Sequence, residues 1–304
     1  MRILITGGTG LIGQALIKEL IQSDHQIVLH TRNKHQALHR FDTPPPRFES
    51  IVESLDDVDF NALDAVINLA GEPIVNKRWT AKQKQILCDS RWQLTESIVD
   101  KISSATSPPS VLISGSAIGI YGRQGDRHID ETIGDFYSEF SSTLCKKWEE
   151  IAYTAQSEKT RVCLLRTGIV LDQHGGALSK MLPAFRFGLG GPIADGQQAM
   201  SWVHIRDMVK IIIYLLTKPE LHGAFNATAP NPVSNQVFSK ALARQLKRPC
   251  IFRVPAFVLK LAMGEMSDLL VHGQYVHPKR LLDSGFQFSY PDIDQALSQL
   301  LAEQ

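Results

Sequence analysis

Closely spaced cysteines are missing from this sequence. Its 304 residues include only four cysteines, and no two of them have the C-x-x-C spacing of zinc sites and redox motifs. A structural zinc site or a disulfide framework is therefore not expected. We expect Cys88, Cys145, Cys163 and Cys250 to be small buried or half-buried thiols in a reducing compartment.

Long apolar runs and an excess of charge of one sign are also missing. No hydrophobic segment reaches the roughly 20 residues of a membrane-spanning helix, and the opening segment MRILITGG is too short for a signal peptide. The 32 Lys and Arg residues almost balance the 31 Asp and Glu residues, for a net charge of +1. We therefore expect a cytoplasmic protein whose partner is a small molecule and neither nucleic acid nor a membrane.

The sequence does contain an alternation of short apolar runs with helical patterns. The runs that predict strands cover residues 2–6, 26–30, 65–69, 111–114, 161–166 and 224–227. The segments that predict helices cover residues 11–21, 80–104, 136–154 and 207–216. This alternation indicates an α/β fold with a doubly wound parallel sheet of the Rossmann type. The polar segment 33–50, which contains three consecutive prolines, is predicted to be a loop.

Three glycines, Gly7, Gly10 and Gly13, lie between the first predicted strand and the first predicted helix. Glycine at such positions allows a tight turn, a close approach of the backbone to a pyrophosphate, and close packing of the helix on the sheet. The helix N-terminus adds free amides and the positive end of its dipole. The residues expected to bind a nicotinamide dinucleotide here are Gly7, Thr9, Gly10, Leu11, Ile12 and Gly13.

The second predicted strand is followed by Thr31 and Arg32 and by no acidic residue. A carboxylate at this place would bind the ribose hydroxyls of NAD. A guanidinium can instead bind a ribose 2′-phosphate, so Arg32 favours NADP(H) as the cofactor, the alternative being a solvated loop arginine. The next strand ends at Leu69, Ala70, Gly71 and Glu72, whose backbone is expected either to pass beside the cofactor or to form a simple turn.

Four segments carry a resemblance to a known family. They are TGGTGLIG at 6–13, NLAG at 68–71, SGSAIGIYG at 114–122 and SWVHIRD at 201–207. Together they resemble the extended short-chain dehydrogenases/reductases, the family of NAD-dependent epimerases and dehydratases. RTGIVL at 166–171 and HPKRLLDSGFQF at 277–288 resemble a subgroup of epimerase-family proteins of unestablished substrate, which ends in a domain of unknown function.

The resemblance implies two lobes. The dinucleotide-binding domain would comprise residues 1–168 together with 203–230. A smaller C-terminal substrate lobe would comprise residues 169–202 and 231–304, and the cleft between the lobes would hold the nicotinamide and the substrate. A homodimer is compatible with the sequence.

The family's usual catalytic groups are a Tyr-x-x-x-Lys pair on one helical face and a serine on the preceding strand. Ser116 matches that serine and would orient the substrate oxygen. Counting back from the Glu149 end of the helix at 136–154 places Ser141 at the tyrosine position and Cys145 at the lysine position. A shift of one residue gives Ser142 and Lys146 instead, so neither register contains a tyrosine.

Another acid must therefore act if the protein is an enzyme. Tyr121, Asp130, Glu131 and Tyr137 lie in or after the loop that follows Ser116, and Tyr121 is expected near the nicotinamide ribose.

Two functions remain open. One is an NADP(H)-dependent oxidoreductase or epimerase acting on a small carbonyl or alcohol. The other is a non-catalytic NADPH-binding sensor or scaffold.

Overall fold

The computed structural model of the chain describes residues 1–23, 25–41 and 48–302. The strands are β1 Arg2–Thr6, β2 Gln26–His30, β3 Phe48–Val52, β4 Ala65–Asn68, β5 Val111–Ala117, β6 His128–Ile129, β7 Arg161–Thr167, β8 Ile169–Leu171, β9 Ala199–Met200, β10 Trp202–His204, β11 Gly223–Ala227, β12 Val233–Ser234 and β13 Tyr275–Val276. The α-helices are α1 Leu11–Gln22, α2 Lys34–Arg40, α3 Ala81–Ser104, α4 Phe140–Tyr153, α5 Gly176–Arg186, α6 Ile205–Thr217, α7 Asn235–Gln245, α8 Ala256–Met263, α9 Asp268–Val271, α10 Lys279–Asp283 and α11 Ile293–Ala302. Short 3-10 helices cover Leu55–Asp57, Phe60–Ala62, Ile118–Tyr121 and Gly264–Ser267.

The central sheet has seven strands in the order β11-β7-β5-β4-β1-β2-β3, and every neighbouring pair is parallel. The chain moves outward from β1 to β2 and β3 and then returns to β4 on the other side of β1. In open α/β sheets, ligands bind at the carboxyl ends of the strands where the order reverses in this way. The predicted α/β fold is confirmed, and the glycine turn after β1 lies at this reversal.

Helices cover both faces of the sheet because alternate residues of a strand point to opposite sides. Ile5 of β1 belongs to the same buried cluster as Leu16 of α1 and Met208 of α6. Its neighbour Leu4 belongs to a different cluster, which contains Ile98 of α3. Burial on both sides explains why the predicted central strands are apolar almost throughout.

The prediction that residues 33–50 form a loop is wrong for the residues of this segment that the structure describes. Helix α2 forms because the Asn33 side chain caps it, accepting a hydrogen bond from the Gln36 amide at 2.8 Å. Strand β3 pairs with β2 at the edge of the sheet and is only partly buried. Its sequence is therefore of mixed polarity and lacks the apolar run that predicted the central strands. The remaining residues 42–47 of that prediction, which include the three prolines, lie outside the described residues.

Helix α4 begins at Phe140, later than the predicted residue 136. The chain before it is held against the 3-10 helix that follows β5, because the Tyr137 amide donates a hydrogen bond to the Tyr121 carbonyl at 3.0 Å. This contact fixes the loop between β5 and α4 beside the carboxyl end of β5.

The elements after β8 build a second hydrophobic cluster beside the sheet. Leu178 of α5, Trp202 of β10, Phe238 of α7 and Leu297 of α11 are buried together in it. Strands β8 and β10 pair with each other outside the central sheet, as do β9 and β12. Over the described ranges, none of these or the other helices has both the length and the apolarity that a membrane crossing requires.

Candidate functional site

At two positions of the turn between β1 and α1, backbone atoms leave no room for a side chain. Gly7 has a φ of 70°, and a Cβ there would lie 2.5 Å from the carbonyl carbon of Leu69. A Cβ on Gly13 would lie 2.4 Å from the carbonyl oxygen of Gly7, so the first turn of α1 packs directly on the loop. The Gly10 amide closes the loop by donating to the Gly7 carbonyl at 2.9 Å. Close backbone approach therefore accounts for the glycine spacing.

Helix α1 begins with amides that are available to a ligand. Gly10 is the N-cap residue, and no side chain from the described part of the protein caps the helix. Because the first N–H groups of an α-helix lack partners inside the helix, the amides of Leu11, Ile12 and Gly13 can bind an anion. This uncapped start beside a loop that contains three glycines fits the diphosphate of a dinucleotide.

Two arginines follow β2. Arg32 is exposed directly after the strand. Arg40, at the end of α2, donates to the Thr9 carbonyl at 2.9 Å, which places its guanidinium against the glycine turn. Sequence reasoning missed Arg40 because its segment was predicted to be a loop, whereas α2 carries it back to β1. The Thr31 amide is bound to β3, donating to the Val52 carbonyl at 3.0 Å.

In the segment after β4, the first residue contacts the glycine turn and the later residues contact α3. Leu69 lies against Gly7 and lines the cavity that begins there, and Ala70 beside it is half-buried. Further along, the Glu72 carbonyl accepts a hydrogen bond from the Arg91 guanidinium at 3.0 Å. A Cβ on Gly71 would lie 3.0 Å from that guanidinium. The structure thus brings Leu69 to the site, whereas Gly71 and Glu72 are bound to α3.

A cavity of about 480 Å³ runs from the glycine turn to the C-terminal elements. Its mostly apolar walls include Gly7, Gly10, Leu11, Ile12, Gly13, Leu69, Ile118, Gly119, Ser141, Cys145, Met181, Met200, Leu269 and Leu270. A ligand anchored at the turn can therefore extend along the carboxyl ends of the strands as far as α4.

Two side chains of α4, one helical turn apart, line this cavity: Ser141 and Cys145. The alternative pair behaves differently. The Ser142 hydroxyl donates to the Ile120 carbonyl at 2.8 Å, away from the cavity, and Lys146 is exposed. Of the two predicted registers, the structure brings the first to the cavity and not the second.

A cluster of charged side chains lies beside Ser141 at the cavity wall. The Ser141 hydroxyl donates to Glu139 Oε1 at 2.8 Å. Arg123 donates to the other oxygen of Glu139 at 3.1 Å and to Asp268 at 2.6 Å. All four residues line the cavity. Asp268 comes from α9, so this ion pair connects the C-terminal elements to the loop after β5.

The sequence profile of the NAD dependent epimerase/dehydratase family matches residues 3–227, and that of a domain of unknown function matches residues 254–300. The chain belongs to the NAD-dependent epimerase/dehydratase family. The resemblance based on the glycine turn and the three later segments is therefore confirmed, as is the C-terminal domain.

Relatives match this family member over its whole length. It is 37% identical to the chloroplastic epimerase family protein SDR39U1 homolog of Arabidopsis thaliana, over 99% of this chain and 87% of the relative. It is 35% identical to the epimerase family protein YfhF of Bacillus subtilis, over 100% of this chain and 99% of the relative. The crystal structure of human SDR39U1 with NADPH superposes with a TM-score of 0.91 at 31% identity, covering 100% of both chains. UDP-glucuronic acid 4-epimerase from Bacillus cereus shares the fold, with a TM-score of 0.79 at 16% identity over 100% of this chain and 99% of that one.

The catalytic candidates Ser116 and Tyr121 lie in a buried polar network of this epimerase-family protein. Ser116 donates to Glu149 at 2.6 Å, and Arg166 holds both oxygens of Glu149 at 2.8 Å. The Tyr121 hydroxyl donates to Asn226 at 2.7 Å and accepts from Arg166 at 3.0 Å. Burial raises the pKa of Tyr121 to about 12. Neither candidate is among the described residues that form the cavity wall, so the structure does not bring them to the site.

The other candidate acids are also engaged elsewhere. Glu131 accepts hydrogen bonds from the amides of Asn226 at 2.8 Å and Arg280 at 3.3 Å, and so connects β11 to α10. Asp130 caps its own turn, accepting from the Thr132 amide at 2.8 Å. Of the candidate acids, none contributes to the cavity wall within the described residues, whereas Ser141 and Glu139 do.

Cys145 is expected to resist alkylation although it borders the cavity. Burial raises its pKa to about 12, so the reactive thiolate is scarce at about pH 8. Cys250 is only partly buried. Peptide mapping after iodoacetamide treatment of the native protein should therefore show modification of Cys250 first. Labelling of Cys145 at the same rate as Cys250 would contradict the buried environment described for α4.

Proposed function

We propose that this protein is an NADP(H)-dependent oxidoreductase or epimerase that acts on a small carbonyl or alcohol. The observation that carries the proposal is the continuous cavity from the glycine turn to the inner face of α4. A nicotinamide dinucleotide bound in it would supply or accept a hydride. The protein itself would bind the cofactor, exclude water and orient the reacting oxygen.

Backbone amides and arginine side chains would bind different parts of the cofactor. The amides at the start of α1 would bind the diphosphate, because that is where free donors and the helix dipole coincide. Arg32 would bind the 2′-phosphate of NADP(H), and Arg40 would add positive charge beside the turn. The NADPH in the crystal structure of human SDR39U1, which is 31% identical, supports NADP(H) as the cofactor.

We propose the same division of the chain that the sequence indicates. Residues 1–168 and 203–230 would form the cofactor domain, and residues 169–202 and 231–304 the substrate lobe. The pairing of β11 with β7 supports the return of the chain to the cofactor domain. The separate hydrophobic cluster around Trp202 and Phe238 supports the second lobe.

Replacing Arg32 with alanine should weaken NADPH binding selectively. The loss is expected to be about 1.5–3 kcal/mol, which is typical of a hydrogen bond to a charged group. NADH binding should hardly change, because NADH has no 2′-phosphate. Isothermal titration calorimetry with both nucleotides measures the difference. The matched variant Arg32→Lys keeps the charge but loses the planar fork, so an intermediate loss is expected. Equal losses for NADPH and NADH would refute the role of Arg32.

A non-catalytic NADPH sensor is the second candidate function. The occupants of the cavity-facing positions of α4, Ser141 and Cys145, favour it, because neither is the tyrosine or lysine of the family's usual pair. Only the enzyme would oxidise NADPH with a substrate. If NADPH oxidation by a panel of aldehydes, ketones and quinones can be followed at its absorbance band, the protein is an enzyme. If NADPH binds without any turnover and changes the oligomeric state or a captured partner, the sensor function gains support.

A further inference from the structure

The part of the cavity beyond the glycine turn is apolar over most of its wall. Ile118, Met181, Met200, Leu269 and Leu270 contribute side chains from four different elements. Such a surface stabilises an apolar ligand by removing its surface from water, and it offers little to replace the hydration of a charged one.

The charges that do line this part are already matched to one another. Among the described lining residues they are Arg123, Glu139 and Asp268, whose formal charges add to −1. Arg123 is the positive one, and it is held between the two carboxylates at 3.1 and 2.6 Å. A nucleoside diphosphate sugar would bring two further negative charges to a wall with no unmatched arginine or lysine. Burial of such charges without a partner is strongly unfavourable.

Several neutral polar side chains also line the cavity, among them Thr167, Gln198, Ser201 and Gln274, and Ser141 is the one on α4 at the tyrosine position of the family pattern. The Ser141 hydroxyl lies at the wall, nine-tenths or more buried, with its hydrogen directed at Glu139. A hydroxyl has one donor and two acceptor sites. Ser141 can therefore accept the hydrogen of a substrate alcohol in its present orientation. After rotation it can donate to a substrate carbonyl, while Glu139 stays bound to Arg123.

Gly119 lets the 3-10 helix after β5 pack closely on α4 beside Ser141. A Cβ on Gly119 would lie 3.3 Å from the Ser141 Cβ and 3.9 Å from the Cys145 sulfur. Gly119 does not have a positive φ, so its backbone does not require glycine. The absence of a side chain at this position instead allows Ser141 and Cys145 to approach the 3-10 helix at the cavity wall.

We propose that this cavity binds an uncharged, mainly apolar carbonyl compound or its alcohol, with the oxygen on Ser141, and that it rejects nucleoside diphosphate sugars. The inference rests on the proposed function, because the cofactor would occupy the end at the glycine turn. Ser141 thereby takes the place that the family gives to tyrosine, as the group that contacts the substrate oxygen.

The test is calorimetric binding to the full chain saturated with NADP⁺, with acetophenone, 1-phenylethanol and UDP-glucose as probes. The two apolar probes should bind and UDP-glucose should not. Ser141→Ala should weaken the apolar probes about 3- to 10-fold, the effect of one hydrogen bond. Ser142→Ala, the same change one residue along α4, should not weaken them. Gly119→Ala, whose methyl group would press on the Ser141 side chain, should also weaken them.

The affinity for NADP⁺, measured on each variant, separates this inference from the proposed function. It should be the same in Ser141→Ala as in the unmodified protein. If NADP⁺ binds and UDP-glucose binds more tightly than either apolar probe, or if neither apolar probe binds, the substrate class is wrong. If Ser141→Ala and Ser142→Ala have equal effects, Ser141 is not the contact. If NADP⁺ itself does not bind, the proposed function fails, and the substrate inference fails with it.

Discussion

Replacing Gly13 with alanine is expected to weaken NADPH binding by about 5- to 150-fold, because the free variant relieves an overpacking of about 1–3 kcal/mol by shifting the first turn of α1, and NADPH binding has to reverse that shift. The new methyl group would meet the Gly7 carbonyl oxygen at 2.4 Å and the Gly8 Cα at 2.5 Å, both of which are backbone atoms that cannot rotate away. The first turn of α1 would have to move off the loop. Its amides would then no longer converge on the place where the diphosphate is bound.

Gly134→Ala is the matched control for this variant. A Cβ on Gly134 would meet no other atom within 4 Å, so the same chemical change should leave both NADPH affinity and the free energy of unfolding nearly unchanged. Calorimetry gives the affinity, and urea unfolding shows whether Gly13→Ala remains folded. A folded Gly13→Ala protein with unaltered NADPH affinity would mean that the cofactor does not depend on this turn.

Replacing Arg166 with methionine is expected to lower the free energy of unfolding by about 3–5 kcal/mol, because it leaves the Glu149 carboxylate buried without its partner. The ion pair is bidentate at 2.8 Å, and both side chains are only 9% exposed. The same guanidinium also donates to Tyr121, so that tyrosine loses a partner as well. Urea unfolding followed by circular dichroism measures the loss.

Two further variants test whether the loss of stability comes from breaking a buried ion pair or would follow the removal of any arginine. Arg244 pairs with Asp294 at the surface, where the side chains are 62% and 54% exposed. Arg244→Met should therefore cost no more than about 1 kcal/mol. The double variant Arg166→Met with Glu149→Leu should recover part of the stability, because no charge is left unmatched. If Arg166→Met and Arg244→Met prove equally mild, the network around Ser116 and Tyr121 does not have the structural role described above.

The parts of the fold that follow from local patterns could be predicted from the sequence. The central strands are buried on both faces and therefore read as apolar runs, and the glycines at 7, 10 and 13 appear where backbone atoms come within contact distance. Strand β3 and helix α2 were missed for the opposite reason. One is a half-buried edge strand, and the other is a seven-residue helix defined by the Asn33 cap.

The polar contacts of the cavity wall and of the buried network around Tyr121 could not be predicted, because they depend on contacts between distant segments. Arg123 meets Asp268 across 145 residues, and Tyr121 meets Asn226 across 105. Ser116 follows the family pattern in sequence, yet its hydroxyl points to Glu149 and not into the cavity. Counting back from Glu149 identified Ser141 in the sequence. Only the structure, however, shows which face of α4 lines the cavity, and that this face carries Ser141 and Cys145.

Direct titration of the purified, folded chain with NADPH and with NADH tests whether a dinucleotide is held at the start of α1. We expect uptake of one NADPH per chain, with weaker binding of NADH, and weakened NADPH binding in Gly13→Ala but not in Gly134→Ala. Well-folded protein that takes up neither nucleotide would contradict the assignment of this site.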